Sequence, residues 1–123
     1  MDPERARILA DLGGLLDGQV RCDDPFLNLY ATDASLYQVK PLAVVRSTGV
    51  EDVVKCVQYA RENNFPLIPR GSGSNVIGGV VGSGIVMEFV SSMRRVVETT
   101  PDYVVVQPGV VLSELNRQIS PLT

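Results

Sequence analysis

Between Pro41 and Arg70 the chain passes through a short apolar stretch (PLAVVR), a segment with apolar residues at helical spacing, and a second apolar stretch (PLIPR). Strand, amphipathic helix, strand is the spacing of a βαβ unit, in which the strands run parallel and the crossover is right-handed. The pattern predicts strands at 42–46 and 66–70 lying side by side, with a helix over 50–63 between them. Thr48-Gly49-Val50-Glu51 has the spacing of a capping box, with Thr48 as N-cap and Glu51 reaching back to it. The helix is expected to bury Val53, Val54, Val57 and Ala60, and to end at Asn63-Asn64.

The second strand runs directly into PRGSGSNVIGG, residues 69–79, which holds four glycines, two serines and an asparagine. Such a stretch suits neither helix nor strand, and two readings stand. One is a long flexible loop. The other is a cradle for an anion, in which successive backbone N–H groups form a concave nest for a phosphate. The known phosphate motifs do not fit. A P-loop needs a lysine that this stretch lacks. The dinucleotide fingerprint G-x-G-x-x-G has Val76 where its third glycine belongs, and the continuation VIGGVVGSG does not propagate a helix. The surviving version of the cradle holds phosphate with main-chain amides and a serine hydroxyl. Residues 71–75 are then small because the backbone itself must touch the ligand.

The remainder predicts further strands at GIVMEF (84–89), RRVVET (94–99) and DYVVVQPG (102–109), the last two joined by a turn at Thr100-Pro101-Asp102. A closing helix over 111–119 directs Leu112, Leu115 and Ile119 inward, and the chain stops at SPLT as though cut from a larger protein. Ahead of the βαβ unit, a helix over 4–16 carries Ile8, Leu9, Leu12, Leu15 and Leu16 on one face. Residues 17–41 read as irregular, with one helical turn near Pro25 and with Leu27, Leu29 and Tyr30 as anchors. The expected class is α+β: a lead-in over 1–40, then a domain over 41–123 containing a small parallel three-strand layer at 42–46, 67–70 and 85–89.

Composition narrows the chemistry. The 123 residues contain no histidine, which removes histidine-based triads and histidine metal ligands. The two cysteines, Cys22 and Cys56, are too far apart for a CxxC motif, and no metal site is expected. Cys56 reads as a reduced, buried thiol, from which a cytoplasmic location is expected. A net charge of −3 argues against nucleic acid as a partner. No apolar run is long enough for a transmembrane helix, and MDPERARILADLGG is not a signal peptide. Chemistry must come from a cofactor or from residues outside this chain.

The order of parts from Tyr30 to Ile119 resembles the FAD-binding domain of the vanillyl-alcohol oxidase / para-cresol methylhydroxylase superfamily. It is most similar to the FAD-linked oxidase group of D-lactate, glycolate and D-2-hydroxyglutarate dehydrogenases. The likeness rests on PLAVVR, the following helix, PLIPRGSGSNVIGG, GIVMEF, Met93 and VVVQPGVVLSELNRQI. It implies a PCMH-type FAD-binding domain whose first subdomain has the small parallel sheet, followed by the start of a β-rich subdomain. It implies that Gly71, Ser72, Gly73, Ser74 and Asn75 hold the FAD pyrophosphate and that Gly78 and Gly79 line the same wall. The family commonly has threonine at the place of Ser74; either hydroxyl donates to a phosphate oxygen. Members with covalent flavin often carry a histidine near the end of this loop, so FAD is expected to be non-covalent here. Arg70 reads equally as a structural arginine and as a phosphate contact. Tyr30-Ala31-Thr32-Asp33-Ala34-Ser35 resembles the large members that carry an iron–sulfur domain further on, and Asp33 with Ser35 reads as a turn or cap. The implied function is oxidation of a small 2-hydroxy acid by hydride transfer to FAD. Electrons would pass to iron–sulfur centres, a quinone or another electron-transfer partner at a membrane surface, and the substrate site and catalytic base would lie outside this chain. The alternative is a phosphate- or nucleotide-binding regulatory module without catalysis.

Overall fold

The structure, a computed structural model, describes residues 2–120; Met1 and residues 121–123, which include most of the SPLT end, lie outside it. Helix α1 (Pro3–Gly13) starts where the Asp2 carboxylate accepts from the Glu4 N–H at 2.8 Å, with Pro3 in the first turn. It stops at the Gly13-Gly14 pair, short of the expected 16, and only Ile8, Leu12 and the following Leu16 are buried; Leu9 and Leu15 face outward. Strand β1 (Gln19–Arg21) and helix α2 (Asp24–Leu29) occupy the region expected to be irregular, α2 extending the single turn foreseen at Pro25.

Strands β2 (Ala43–Arg46), β3 (Leu67–Arg70) and β4 (Ile85–Glu88) form the expected parallel layer, with helix α3 (Val50–Glu62) as the first crossover. The sheet order is β1-β2-β4-β3, so β2 and β3 are not neighbours as the βαβ reading required; β4 lies between them and β1 runs antiparallel outside β2. The reason is visible in the strands. All four residues of β4 are buried, which suits a strand covered on both faces. Strand β3 contains Pro69, which has no N–H to give to a ladder and belongs at an edge. Because β3 and β4 are parallel neighbours, the chain must return along the length of the strands between them, and residues 71–84 make that return without a helix.

The pleat divides the core. Ala43, Val45, Ile85 and Met87 point to α1 and α3, where they meet Ile8, Leu12, Cys56, Tyr59 and Ala60. Val44 and Val86 point the other way, toward Phe26 and Leu27 of α2, with Ile68 and Tyr30 half-buried beside them.

The start of α3 differs from the capping box. Its N-cap is Gly49, with no side-chain cap, and Thr48 stands one residue earlier. Asp52, not Glu51, reaches back: its carboxylate accepts from the Thr48 N–H at 3.0 Å and the Thr48 hydroxyl at 2.9 Å, and from the N–H groups of Asp17 and Gly18 at 2.9 Å. That anchor turns the helix so that Asp52, Cys56, Tyr59 and Ala60 are buried. Val54 and Val57, expected inside, are 47% and 45% exposed.

Beyond the sheet, β5 (Val96–Thr99) and β6 (Val104–Val106) form the expected antiparallel hairpin. The Thr100 hydroxyl oxygen accepts from the Tyr103 N–H at 3.0 Å in its turn. Helix α4 (Leu112–Ile119) follows. Leu115 and Ile119 are half-buried, but Leu112 is 69% exposed rather than inward. No described helix is long and apolar enough to cross a membrane.

Both cysteines are free and buried, Cys56 in the core and Cys22 beside α1. Burial pushes the Cys56 thiol up to about 12 and raises Cys22 as well. The thiolate is the reactive form, so both thiols should stay neutral at mildly alkaline pH. Native protein treated with a thiol reagent at pH about 8 should take up no label until denatured; a cysteine labelled in the folded state would contradict this packing.

Candidate functional site

A cleft of about 530 Å³ lies between two walls, a volume within the ordinary range for small-molecule sites. Gly71, Ser72, Gly73, Ser74 and Asn75 line one wall, with Val80 and Val90 beside them. The segment from Pro108 to Ser113, which leads from the hairpin into α4, lines the other. The first wall was expected from the glycine run; the second, whose Pro-Gly-Val belongs to the family resemblance, was assigned no place in the site. In that second wall the Gly109 N–H donates to the Met93 carbonyl at 2.8 Å, and a Cβ there would lie 2.1 Å from the Phe89 carbonyl oxygen. Only glycine lets the second wall pack this closely on the turn at 89–93.

The first wall is held in shape from behind. Gly73 has φ +78°, the left-handed region open to glycine. A Cβ on it would lie 2.4 Å from Nη2 of Arg70. The Arg70 guanidinium is therefore packed under the loop, donating to the main-chain carbonyls of Tyr30 at 3.2 Å and Thr32 at 2.8 Å. The segment 30–37 acts as a strap. The Ala34 N–H donates to the Asn75 carbonyl at 3.0 Å, and the Tyr37 ring closes over Gly78, which has φ +77°. Asp33 shapes the strap by accepting from the Ser35 N–H at 2.8 Å and from the Ser35 hydroxyl. Those bonds, with the Arg70 charge, hold its carboxyl below the usual carboxylate range. Asp33 and Ser35 thus form the turn expected of them.

Gly78 and Gly79 do not line the cleft. They belong to a tight turn capped by Asn75, whose Oδ1 accepts from the Ile77 N–H at 2.9 Å and the Gly79 N–H at 3.0 Å. The Asn75 side chain is thereby committed to the turn. Ser72 and Ser74 keep exposed hydroxyls 3.2 Å apart that can turn toward a ligand.

The lining offers backbone amides, the three hydroxyls of Ser72, Ser74 and Ser113, and a row of valines, with no carboxylate among them. Among the described residues no group of three His, Cys, Asp or Glu is placed to hold a metal. Such a cleft suits an anion joined to an apolar group. The glycines, the positive φ at Gly73 and the small side chains fit the pyrophosphate of a dinucleotide.

The chain is similar to known proteins in sequence and in fold. Residues 41–122 match the family model for the FAD binding domain. D-2-hydroxyglutarate dehydrogenase of Escherichia coli is 31% identical over 96 residues, which are 74% of this chain and 9% of that protein. Glycolate oxidase subunit GlcD of Bacillus subtilis is 30% identical over 96 residues, 20% of its length. The chain thus spans a fifth or less of these relatives. Among solved structures, p-cresol methylhydroxylase aligns with a TM-score of 0.80 at 21% identity, and 4-ethylphenol oxidase of Gulosibacter chungangensis with 0.83 at 23%. Each alignment covers 99% of this chain and 25% of the other, and at such identities the likeness is one of fold. With the family model covering most of its length, this chain belongs to the FAD binding domain family.

Proposed function

We propose that the cleft holds the pyrophosphate of non-covalent FAD and that the protein oxidises a small 2-hydroxy acid. The observation that carries the first part is the Gly71–Asn75 wall of small residues lining the cleft, with Gly73 at positive φ. The amides of 71–75 and the hydroxyls of Ser72 and Ser74 would donate to the phosphate oxygens. Each hydrogen bond to a charged group is worth about 1.5–3 kcal/mol. Val80, Val90, Val110 and Val111 would pack the neighbouring sugar and exclude water. When bound, FAD supplies the two-electron acceptor for a hydride from the substrate α-carbon. This chain's share is to fix and orient it.

The cleft lining contains no histidine, cysteine or tyrosine that could form a covalent flavin link, which supports non-covalent binding. Substrate class is supported by the two relatives whose names specify D-2-hydroxyglutarate and glycolate. We further place the domain proper at 41–123, with 1–40 as its lead-in, and an iron–sulfur domain or another electron-transfer partner elsewhere in the protein. Two reduced cysteines support a cytoplasmic setting.

Titration with FAD, ADP and riboflavin tests the cofactor reading. FAD and ADP should both bind and riboflavin should not, because the pyrophosphate is what these residues recognise. Riboflavin binding as tightly as FAD would contradict it. Reduction of the bound flavin by D-2-hydroxyglutarate, glycolate or D-lactate tests the substrate class; no reduction by any 2-hydroxy acid would count against it.

A further inference from the structure

Arg70 occupies an unusual electrostatic position. It is 8% exposed and ends β3 directly before the glycine wall. In the sheet register it stands opposite Glu88, and so does Arg46 from the other side. Glu88 is committed elsewhere: Arg46 Nε lies 3.4 Å from its Oε2, and the Ser91 N–H and hydroxyl donate to its two oxygens at 2.8 and 2.6 Å. No carboxylate among the described residues comes within 4.0 Å of the Arg70 guanidinium. Its contacts are the neutral Tyr30 and Thr32 carbonyls and the Tyr30 ring, 5.2 Å from Cζ to the centroid. A buried cation without an ion-pair partner is costly, and Asp33, whose carboxyl feels the Arg70 charge, is no direct contact of it.

The geometry points to Arg70 as a positioning residue for the bound dinucleotide: its guanidinium braces Gly73 at positive φ and sets an unpaired positive charge behind the phosphate-binding amides. Two observations act together. The Nη2 group occupies the place a Gly73 side chain would take, so the loop is shaped around the guanidinium. Arg70, with Gly71, Ser72 and Glu88, also lines a smaller cleft of about 340 Å³ that shares Gly71, Ser72 and Val90 with the first. The charge therefore lies against the same loop backbone that lines the main cleft. It would reinforce the amides without touching the phosphate. This deepens the cofactor assignment and rests on it.

The test compares Arg70→Lys and Arg70→Met with the unaltered protein, using FAD and ADP titrations at several salt concentrations and the amide NMR signals of 71–75 without ligand. Arg70→Met should weaken both ligands roughly tenfold or more and flatten the salt dependence. Arg70→Lys should keep the salt dependence and recover much of the affinity, since it retains the charge and can still donate to one carbonyl. Equal weakening in both variants with an unchanged salt slope would make Arg70 merely structural and overturn the proposal, as would unchanged affinity in Arg70→Met. Should Arg70→Met fail to fold, Arg70→Gln, which still donates to a carbonyl but carries no charge, takes its place: the same weakening with a flattened salt slope is expected, and an unchanged slope would overturn the proposal. A failure of the unaltered protein to bind FAD or ADP would instead sink the cofactor assignment, so the two failures are distinguishable.

Discussion

Gly73→Val should lower FAD affinity by roughly a hundredfold or more while leaving the sheet intact. Two effects combine at this position. A β-branched residue resists the φ of +78° that Gly73 adopts. Its Cβ would also fall 2.4 Å from Arg70 Nη2, so that either the guanidinium leaves the Tyr30 and Thr32 carbonyls or the loop leaves the cleft wall. Strain of this kind costs about 1–3 kcal/mol locally, and the loop lies on the surface, away from the two core clusters. The variant should therefore remain folded, with a far-UV circular dichroism spectrum like that of the parent, and lose cofactor. Full flavin occupancy in folded Gly73→Val would show that the phosphate sits elsewhere.

Asp52→Ala should produce the largest loss of stability, about 3–5 kcal/mol in urea unfolding at neutral pH. The carboxylate is 2% exposed and gathers four donors: the N–H groups of Asp17, Gly18 and Thr48 and the Thr48 hydroxyl. Alanine would orphan all of them at the junction of α1, β1 and α3. The pH dependence follows from the same contacts. Burial alone pushes the Asp52 carboxyl up, but the donors more than offset it, and its pKa lies below the ordinary value. A depressed folded pKa contributes stability above the unfolded pKa of about 4 and loses it as pH falls through the folded value. The stability gap between the parent and Asp52→Asn should accordingly narrow on acidification below pH about 4. A gap that stays constant into strong acid would mean that the carboxylate charge is not what holds the junction.

What could be read from the sequence depended on whether the signal was local. The glycine run announced the first wall of the cleft because backbone approach to a ligand demands small residues at consecutive positions. The hairpin at Thr100-Pro101-Asp102 was equally plain, since turn chemistry is local. Strand order was not. Pro69 carried the information that β3 is an edge strand, but its weight appears only once the fully buried β4 needs a place between two partners. The face of α3 was misjudged for a related reason. Three valines suggested an inward stripe, whereas the helix is rotated by Asp52, whose partners at Asp17 and Gly18 come from a distant part of the chain. Strand β1 is only three residues long and is stabilised by pairing with β2 rather than by its own pattern. The strap over 30–37 escaped functional reading because its role, holding the loop from behind, is entirely tertiary.

Amide NMR reports directly on whether residues 71–75 contact the pyrophosphate of FAD, as proposed. In ¹⁵N-labelled protein titrated with FAD, saturable shifts are expected at the N–H signals of Gly71, Ser72, Gly73, Ser74 and Asn75 and across the facing Gly109–Ser113 wall. ADP should reproduce the shifts at 71–75. Saturable binding that leaves those five amides unmoved, with the shifts gathered on another surface, would contradict that contact.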